Sequence, residues 1–309
     1  MSSSDPTAPD GGAGIRVALI QIAADQCWAD PAGALDRNLE LVRAKFEDVA
    51  DEVDLAVFPE LSLTGYIPLK GYDQARKRLL YDVARRCRSN ALPELARATR
   101  GRRSSLVVGF MEPARMRFEM FNSLALLEDG EVMAVHRKIH LPVEENHYFA
   151  PGRDVTVVDS KHGRIALLIC YDMLFPETAR IAALRGAELL CISSNWLGIA
   201  ELERLGEVIP RARALEEQLH VVFVNGVGTV EVRGREWSFY GKSRAVSAAG
   251  TVVAEAGSGE ESVVALLTQA DLAAAADVFP LLRDRRPDTY GELVAPLVES
   301  ALVETGAAT

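Results

Sequence analysis

The chain has 309 residues, 49% of them hydrophobic and 25% charged, the profile of a soluble globular protein. No apolar run approaches the roughly 20 residues of a membrane-spanning helix. A formal net charge of -10 speaks against a general nucleic-acid binder, which needs a basic face for phosphates.

Residues 1–14, MSSSDPTAPDGGAG, lack the basic and apolar regions of a signal peptide, and their small, polar, Gly/Pro-rich composition predicts a disordered tail on a cytoplasmic protein. IRVALIQIA (Ile15 to Ala23) predicts a first strand. From about Asp30 the spacing of Leu35, Leu39, Val42 and Phe46 predicts a helix. VDLAVFPE (Val53 to Glu60) predicts a second strand that ends in a carboxylate, and LSLTGY a loop. Residues 72–100 read as helical with a break before Pro93. SLVVGFMEP (Ser105 to Pro113) predicts a third strand. Asn122 to Val135 predicts a hairpin turning at Asp129-Gly130, because both central residues of the favoured two-residue turn need positive φ.

A short strand near Val155 to Val158 precedes GRIALLICYDMLFPETARIAALRGAELL (Gly163 to Leu190). Its apolar run Ile165 to Ile169 reads as a buried strand, and a helix follows Phe175-Pro176-Glu177, where Pro and Glu both suit a first turn. ELLCISSNW (Glu188 to Trp196) and HVVFVNGVG (His220 to Gly228) read as strands, separated by a helix over about Glu201 to Gln218 that Pro210 kinks or restarts. KSRAVSAAGTVVAEAG predicts a second hairpin turning at Ala249-Gly250, VVALLTQADL a last strand, and RDRRPDTYGEL opens a C-terminal arm. Alternating strands and helices with no composition break predict one α/β domain, and the hairpins make its sheet mixed. The two hairpins raise the possibility of related halves.

Cys170 stands between a strand's carboxyl end and a helix start, where open α/β sheets place their chemistry and where backbone N–H groups can lower a thiol's pKa. It reads as a nucleophile. Cys27, Cys87 and Cys191 are widely spaced from it and from one another, with no C-x-x-C pair, and read as ordinary small packed side chains rather than as a disulfide framework or zinc site. A nucleophilic thiol needs a base. His136 and His140 in HRKIH lack the glutamate of a zinc-protease helix, and His162 and His220 carry no marked context. Glu60 and Lys138 are better placed, each at the end of an apolar segment. If their strands lie parallel in one sheet, Glu60 and Cys170 converge on one sheet edge.

VFPELSLTGY, HRKIHLP and LLICYDMLFPE resemble, in this order, the three signature segments of the nitrilase superfamily of carbon–nitrogen hydrolases; 78 residues separate Glu60 from Lys138 and 32 separate Lys138 from Cys170. EENHYFAPG, SSNW, RARALEEQ, FYGKS and RDRRPDTY add flanking matches, so the resemblance covers about residues 15–295. It implies a four-layer αββα sandwich with mixed sheets, usually in paired subunits. Residues 15–280 would then form the hydrolase domain and 281–309 an arm packing on a partner subunit. It also implies Glu60 as general base, Lys138 as electrostatic partner and Cys170 as nucleophile. Glu145, three residues before Tyr148, takes the place of the second family glutamate in preference to Glu144, and the Tyr171 backbone N–H that of an oxyanion donor. Tyr66, Asn195 and Trp196, at a loop and a strand end near these residues, are candidate pocket walls.

The reaction implied is hydrolysis of a small linear amide or N-carbamoyl compound through a thioester, with water as co-substrate and without cofactor or metal. Tyr171-Asp172 stands where true nitrilases usually carry Trp-Glu, which favours amides over nitriles. A nitrile hydrolase, an acyl transferase and a non-catalytic binding protein on the same fold remain the alternatives.

Overall fold

The computed structural model describes residues 14–295 apart from 29, 32, 68–72, 143 and 233. The expected tail lies outside the described residues except for Gly14, as do residues 296–309 of the expected arm.

Successive side chains of a strand point to opposite faces, and the central strands are apolar on both. In β1 (Gly14–Gln21), Val17 and Leu19 join one apolar cluster while Ala18 and Ile20 join another. The same division holds in β2 (Leu55–Val57), β3 (Ser105–Pro113) and β4 (Met120–Glu128). A sheet of such strands must be covered twice. One face receives α1 (Gly33–Glu47), through Leu35, Leu39, Val42 and Phe46, with α2 (Gln74–Arg86) and α3 (Leu92–Ala98). The other receives a second sheet.

The first sheet has the order β14-β1-β2-β3-β4-β5, with β5 spanning Glu131–Arg137 and β14 Glu261–Thr268. The second contains β6 (Thr156–Ser160), β7 (Gly163–Ile169), β8 (Leu189–Ser194), β9 (His220–Asn225), β12 (Arg244–Val246) and β13 (Val252–Glu255), in the order β13-β12-β9-β8-β7-β6. Helices α4 (Pro176–Leu184) and α5 (Ala200–Glu217) close the outer side of this second sheet. Val17, Leu19, Leu55, Val57 and Leu126 share one apolar cluster with residues of β7 and β9, and the cluster continues through that second sheet to Ala179 and Ala182 of α4 and Ala214 of α5. The result is the expected four-layer αββα sandwich.

The possibility of related halves gains substance from the pairing. Three consecutive parallel strands, β1-β2-β3 and β7-β8-β9, form the heart of each sheet. Each trio carries one antiparallel strand on its first member, β14 or β6, and two in succession on its last, β4-β5 or β12-β13. This arrangement corrects one expectation. Glu60 follows β2 of the first sheet and Cys170 follows β7 of the second, so they meet across the stacked sheets and not along one sheet edge.

Three local expectations also change. The helix does not break before Pro93: a π-turn over Cys87–Ala91 lets the Leu92 N–H reach the Cys87 carbonyl. Pro93 then falls in the first turn of α3, where a missing N–H costs nothing. α5 runs through Pro210 without restarting. VVALLTQADL is only partly strand, because Thr268 ends β14 and its Oγ1 accepts from the Asp271 N–H at 3.2 Å, capping α6 (Gln269–Val278). A small hairpin of β10 (Thr229–Val232) and β11 (Arg235–Ser238), unforeseen in the sequence, stands apart from both sheets.

Candidate active site

Glu60 sits three residues past the end of β2, in a turn pressed against β3. At Gly109 of β3 a Cβ would lie 2.4 Å from Leu61 N and 2.7 Å from Pro59 O, so only glycine lets the turn approach. The Leu63 N–H donates to the Gly109 carbonyl at 3.0 Å, and the Asn195 side chain donates to the Glu60 carbonyl at 2.6 Å. Lys138 follows β5 directly, its N–H bonded to the Asn122 carbonyl at 2.9 Å. Glu145 begins a 3-10 turn, Glu145–His147, packed beside the buried Tyr148. Cys170 leaves β7 with φ +51 and opens a second 3-10 turn, Cys170–Leu174. A non-glycine residue in this conformation is uncommon, and here it turns the chain sharply at the thiol.

These four side chains converge. Lys138 Nζ donates to Glu60 Oε1 and to Glu145 Oε1, each at 2.7 Å. Asn122 Nδ2 donates to the same Glu60 oxygen at 2.7 Å, and the Tyr66 hydroxyl to Glu145 Oε1 at 2.6 Å. The second oxygens, Oε2 of Glu60 and of Glu145, are buried with no hydrogen-bond partner among the described residues. Trp196 Nε1 donates to the Cys170 sulfur at 2.9 Å. Lys138 and Glu145 are 0% exposed, Glu60 1% and Cys170 5%, so the cluster works in a medium of low polarizability where charges act strongly.

Burial pushes the Glu60 carboxyl above its usual range, and the Glu145 charge adds to this against the attraction of Lys138. Burial opposes the Lys138 ammonium, yet the sulfur of Cys170 whenever it is ionised, and the Glu145 and Glu60 carboxylates, outweigh it and hold the amine firmly protonated. The thiol departs from its sequence reading. Burial, then Glu60 and Glu145, raise its pKa well above the ordinary value, while Lys138 and the Asn195 backbone N–H pull the other way less strongly. The strand-end position alone suggested a lowered pKa. Two carboxylates and a dry setting reverse that, and the resting group is a neutral thiol beside a carboxylate that holds a proton readily.

Of the candidate pocket walls, Tyr66 is buried edge-on to Phe239, with ring centroids 5.8 Å apart. Asn195 turns its side chain to the Glu60 backbone, and Trp196 faces the sulfur itself. Tyr171 is half-buried and sets its ring edge-on to Phe175. Asn122 and Asp172 were not read as site residues from the sequence. Their signal was a polar residue inside an apolar run, FNSLALL and LLICYDML. A surface cavity of about 500 Å³ is bordered by Glu203, Arg211, Tyr240, Lys242 and Arg244, and its lining includes none of Glu60, Lys138 and Cys170. Among the described residues no group of three or more His, Cys, Asp or Glu side chains is placed to hold a metal ion.

The family model for carbon-nitrogen hydrolases matches residues 16–277. The chain belongs to the carbon–nitrogen hydrolase family. Among its relatives is an (R)-stereoselective amidase of Pseudomonas sp., 34% identical over 90% of this chain and 94% of that one. The crystal structure of a carbon–nitrogen hydrolase from Helicobacter pylori G27 superposes with a TM-score of 0.79 at 25% identity, over 92% of this chain and 99% of that one. A mutant of the amidase from Nesterenkonia sp. AN1, which shows covalent addition of the acetamide moiety of fluoroacetamide at its active site cysteine, superposes with a TM-score of 0.70 at 27% identity, covering 92% and 98%. Family membership makes this chain an enzyme that hydrolyses carbon–nitrogen bonds with a cysteine.

Proposed function

We propose that the chain hydrolyses a small linear amide or N-carbamoyl compound through a thioester on Cys170. The observation that carries the assignment of roles is Lys138 Nζ bridging Glu60 and Glu145 at 2.7 Å in a fully buried cluster whose charges all act on the thiol. Glu60 takes the Sγ proton as sulfur bonds to the carbonyl carbon, and the π electrons move onto oxygen. Lys138 and the Tyr171 backbone N–H hold that oxyanion; the first N–H groups of a helical turn lack partners within it. Glu60 then gives the proton to the leaving nitrogen as the C–N bond breaks. Water, deprotonated by Glu60, attacks the thioester, and the acid departs as the thiol recovers its proton. A carboxylate serves as base and then acid only when its pKa is raised toward neutrality, and burial supplies that here. Glu145 holds Lys138 and does not attack. Tyr66, Asn195 and Trp196 border the reacting atoms.

The amide preference rests on Tyr171-Asp172 and on the amidase relative. It is tested with a panel of linear amides, ω-amides, N-carbamoyl amines and nitriles assayed for ammonia release, followed by intact-mass detection of the acyl-enzyme on the best substrate. Cys170→Ala is expected to abolish turnover and the mass adduct while leaving the thermal midpoint near wild type. Retained turnover would refute the nucleophile.

The hydrolase unit spans 15–280. The faces of α4 and α5 expose Ile181, Leu184, Val208 and Leu215, and the chain beyond α6 exposes Phe279 and Leu293. Apolar residues gathered this way fit pairing with a second copy, the arm from 281 onward lying across it. Light scattering reads the mass directly, and a monomer would refute pairing. Four unpaired cysteines, all buried, fit a reducing compartment such as the cytoplasm.

A further inference from the structure

Asp172 is a fully buried carboxylate outside the reacting cluster, and it gathers five donors. Its Oδ1 accepts from the Ile139 N–H at 3.1 Å, the His140 N–H at 2.8 Å and His140 Nδ1 at 2.9 Å. Its Oδ2 accepts from the Ile169 N–H at 3.2 Å and faces His136 Nε2 at 3.3 Å. An ionised carboxylate only accepts, so each ring nitrogen facing it carries its hydrogen. Although burial opposes the charge, His136 and His140 hold the Asp172 carboxyl far below the ordinary range, so it stays ionised through any working pH. Phe175 stacks on His140 with centroids 3.7 Å apart, fixing the imidazole from its other side.

Four of the five donors, on His136, Ile139 and His140, flank Lys138, with the Ile139 N–H also 3.4 Å from Oδ2, and the fifth, the Ile169 N–H, immediately precedes Cys170. Lys138 leaves β5 of the first sheet and Cys170 leaves β7 of the second. No covalent chain shorter than 32 residues joins them, as the numbering from 138 to 170 shows. We propose that Asp172 is a positioning residue, a clamp between the two sheets that sets Lys138 against Cys170. The clamp rests on the roles given above to those two residues. It touches no substrate and acts through where it holds them.

Asp172→Asn keeps the shape but replaces one acceptor oxygen by a donor NH₂, which must then oppose the N–H groups of one side. Misplacing a reacting group by about 1 Å can cost on the order of 10²-fold in rate. The expected result is a kcat lower by about 30-fold or more, since the oxyanion partner is displaced, with KM within about threefold. Iodoacetamide alkylation of Cys170 supplies a readout independent of any substrate. Its pH midpoint reports the thiol, whose surroundings carry Glu60, Lys138, Glu145, Tyr66 and Tyr240, with His136 and His140 behind Asp172. A loosened Lys138 withdraws the charge that favours the thiolate, so the midpoint moves to higher pH. A residue that merely stabilised the fold would lower the thermal midpoint and leave both readings alone. A folded Asp172→Asn with wild-type kcat and alkylation midpoint overturns the clamp. Should that variant not fold, His140→Ala removes one side-chain donor at a partly exposed position, and kcat lower by about three- to tenfold with the midpoint moved up is expected on the same argument; unchanged values overturn the proposal. Selective alkylation of wild-type Cys170 is the control, and its failure would strike the nucleophile and not the clamp.

Discussion

Glu145→Gln removes one charge from the cluster and almost nothing else. Gln retains an oxygen that can accept from Tyr66 and Lys138, so the side chains keep their places. Both glutamates accept from one nitrogen at 2.7 Å, which puts the two bound oxygens no more than about 5.4 Å apart. At an effective dielectric of about 20, charges at that separation interact by about 3 kcal/mol. This repulsion raises the Glu60 pKa, and its removal lowers it. Glu60 acts as a base in its ionised form, so the acid limb of kcat/KM, which reports the free enzyme's base, moves to lower pH. The shift is far larger than a pH–rate profile needs to resolve. Glu145 also raises the thiol pKa, so iodoacetamide alkylation begins at lower pH in the same variant. The plateau kcat falls by roughly tenfold, because Lys138 loses one of its two charged anchors and Glu60 becomes a weaker base. An acid limb that stays in place or moves to higher pH would refute the reading of Glu60 as the base that feels Glu145.

Trp196→Phe deletes the indole N–H on the Cys170 sulfur, a bond worth about 1.5–3 kcal/mol when its acceptor is charged. The alkylation midpoint then moves to higher pH and kcat/KM drops by about 10- to 150-fold; a midpoint that moves down would sink the idea that this donor favours the thiolate. Gly109→Ala drives a methyl group into the backbone of the Glu60 turn. A cost of about 1–3 kcal/mol and a thermal midpoint lower by roughly 5 °C are expected. Loss of kcat should accompany it, and unchanged calorimetry and kinetics would show that the turn has room to move.

What the sequence made legible were features fixed by neighbours along the chain. Asp129 and Gly130, with φ of 49° and 91°, form the turn their residue types demand, and the helix over Gly33–Glu47 buries the four residues whose spacing marked it. The convergence of Glu60, Lys138, Glu145 and Cys170 came from resemblance, since no local rule brings residues on two sheets together. Periodicity cannot say which sheet a strand joins, so it does not tell convergence of Glu60 and Cys170 along one edge from convergence across two sheets. Asn122 escapes notice, and Asp172 registers only as half of the Tyr171-Asp172 pair, because most of their partners are distant in sequence. A hydrogen-bonded polar residue inside an apolar run gives little local sign of whom it serves. The stretch after Leu267 misled for a different reason. QADLAAAADV has helix-forming alanines, but the preceding apolar strand ran into it without a glycine or proline to mark the change.

The buried trio of one lysine and two glutamates has a consequence for the whole reaction cycle. With the thiol neutral, the centre carries one net negative charge. When Glu60 takes the thiol proton, the charge passes to sulfur; when sulfur adds to the carbonyl, it passes to oxygen; when the amine leaves with the proton, Glu60 holds it again. The total never alters, because the proton leaves on a neutral amine and the incoming water supplies its replacement to Glu60 and then to sulfur. Desolvating this charge is a cost of folding and is not incurred afresh at each turnover. An uncharged electrophile, such as an aldehyde that stops at the addition stage, should therefore bind without taking up or releasing a proton.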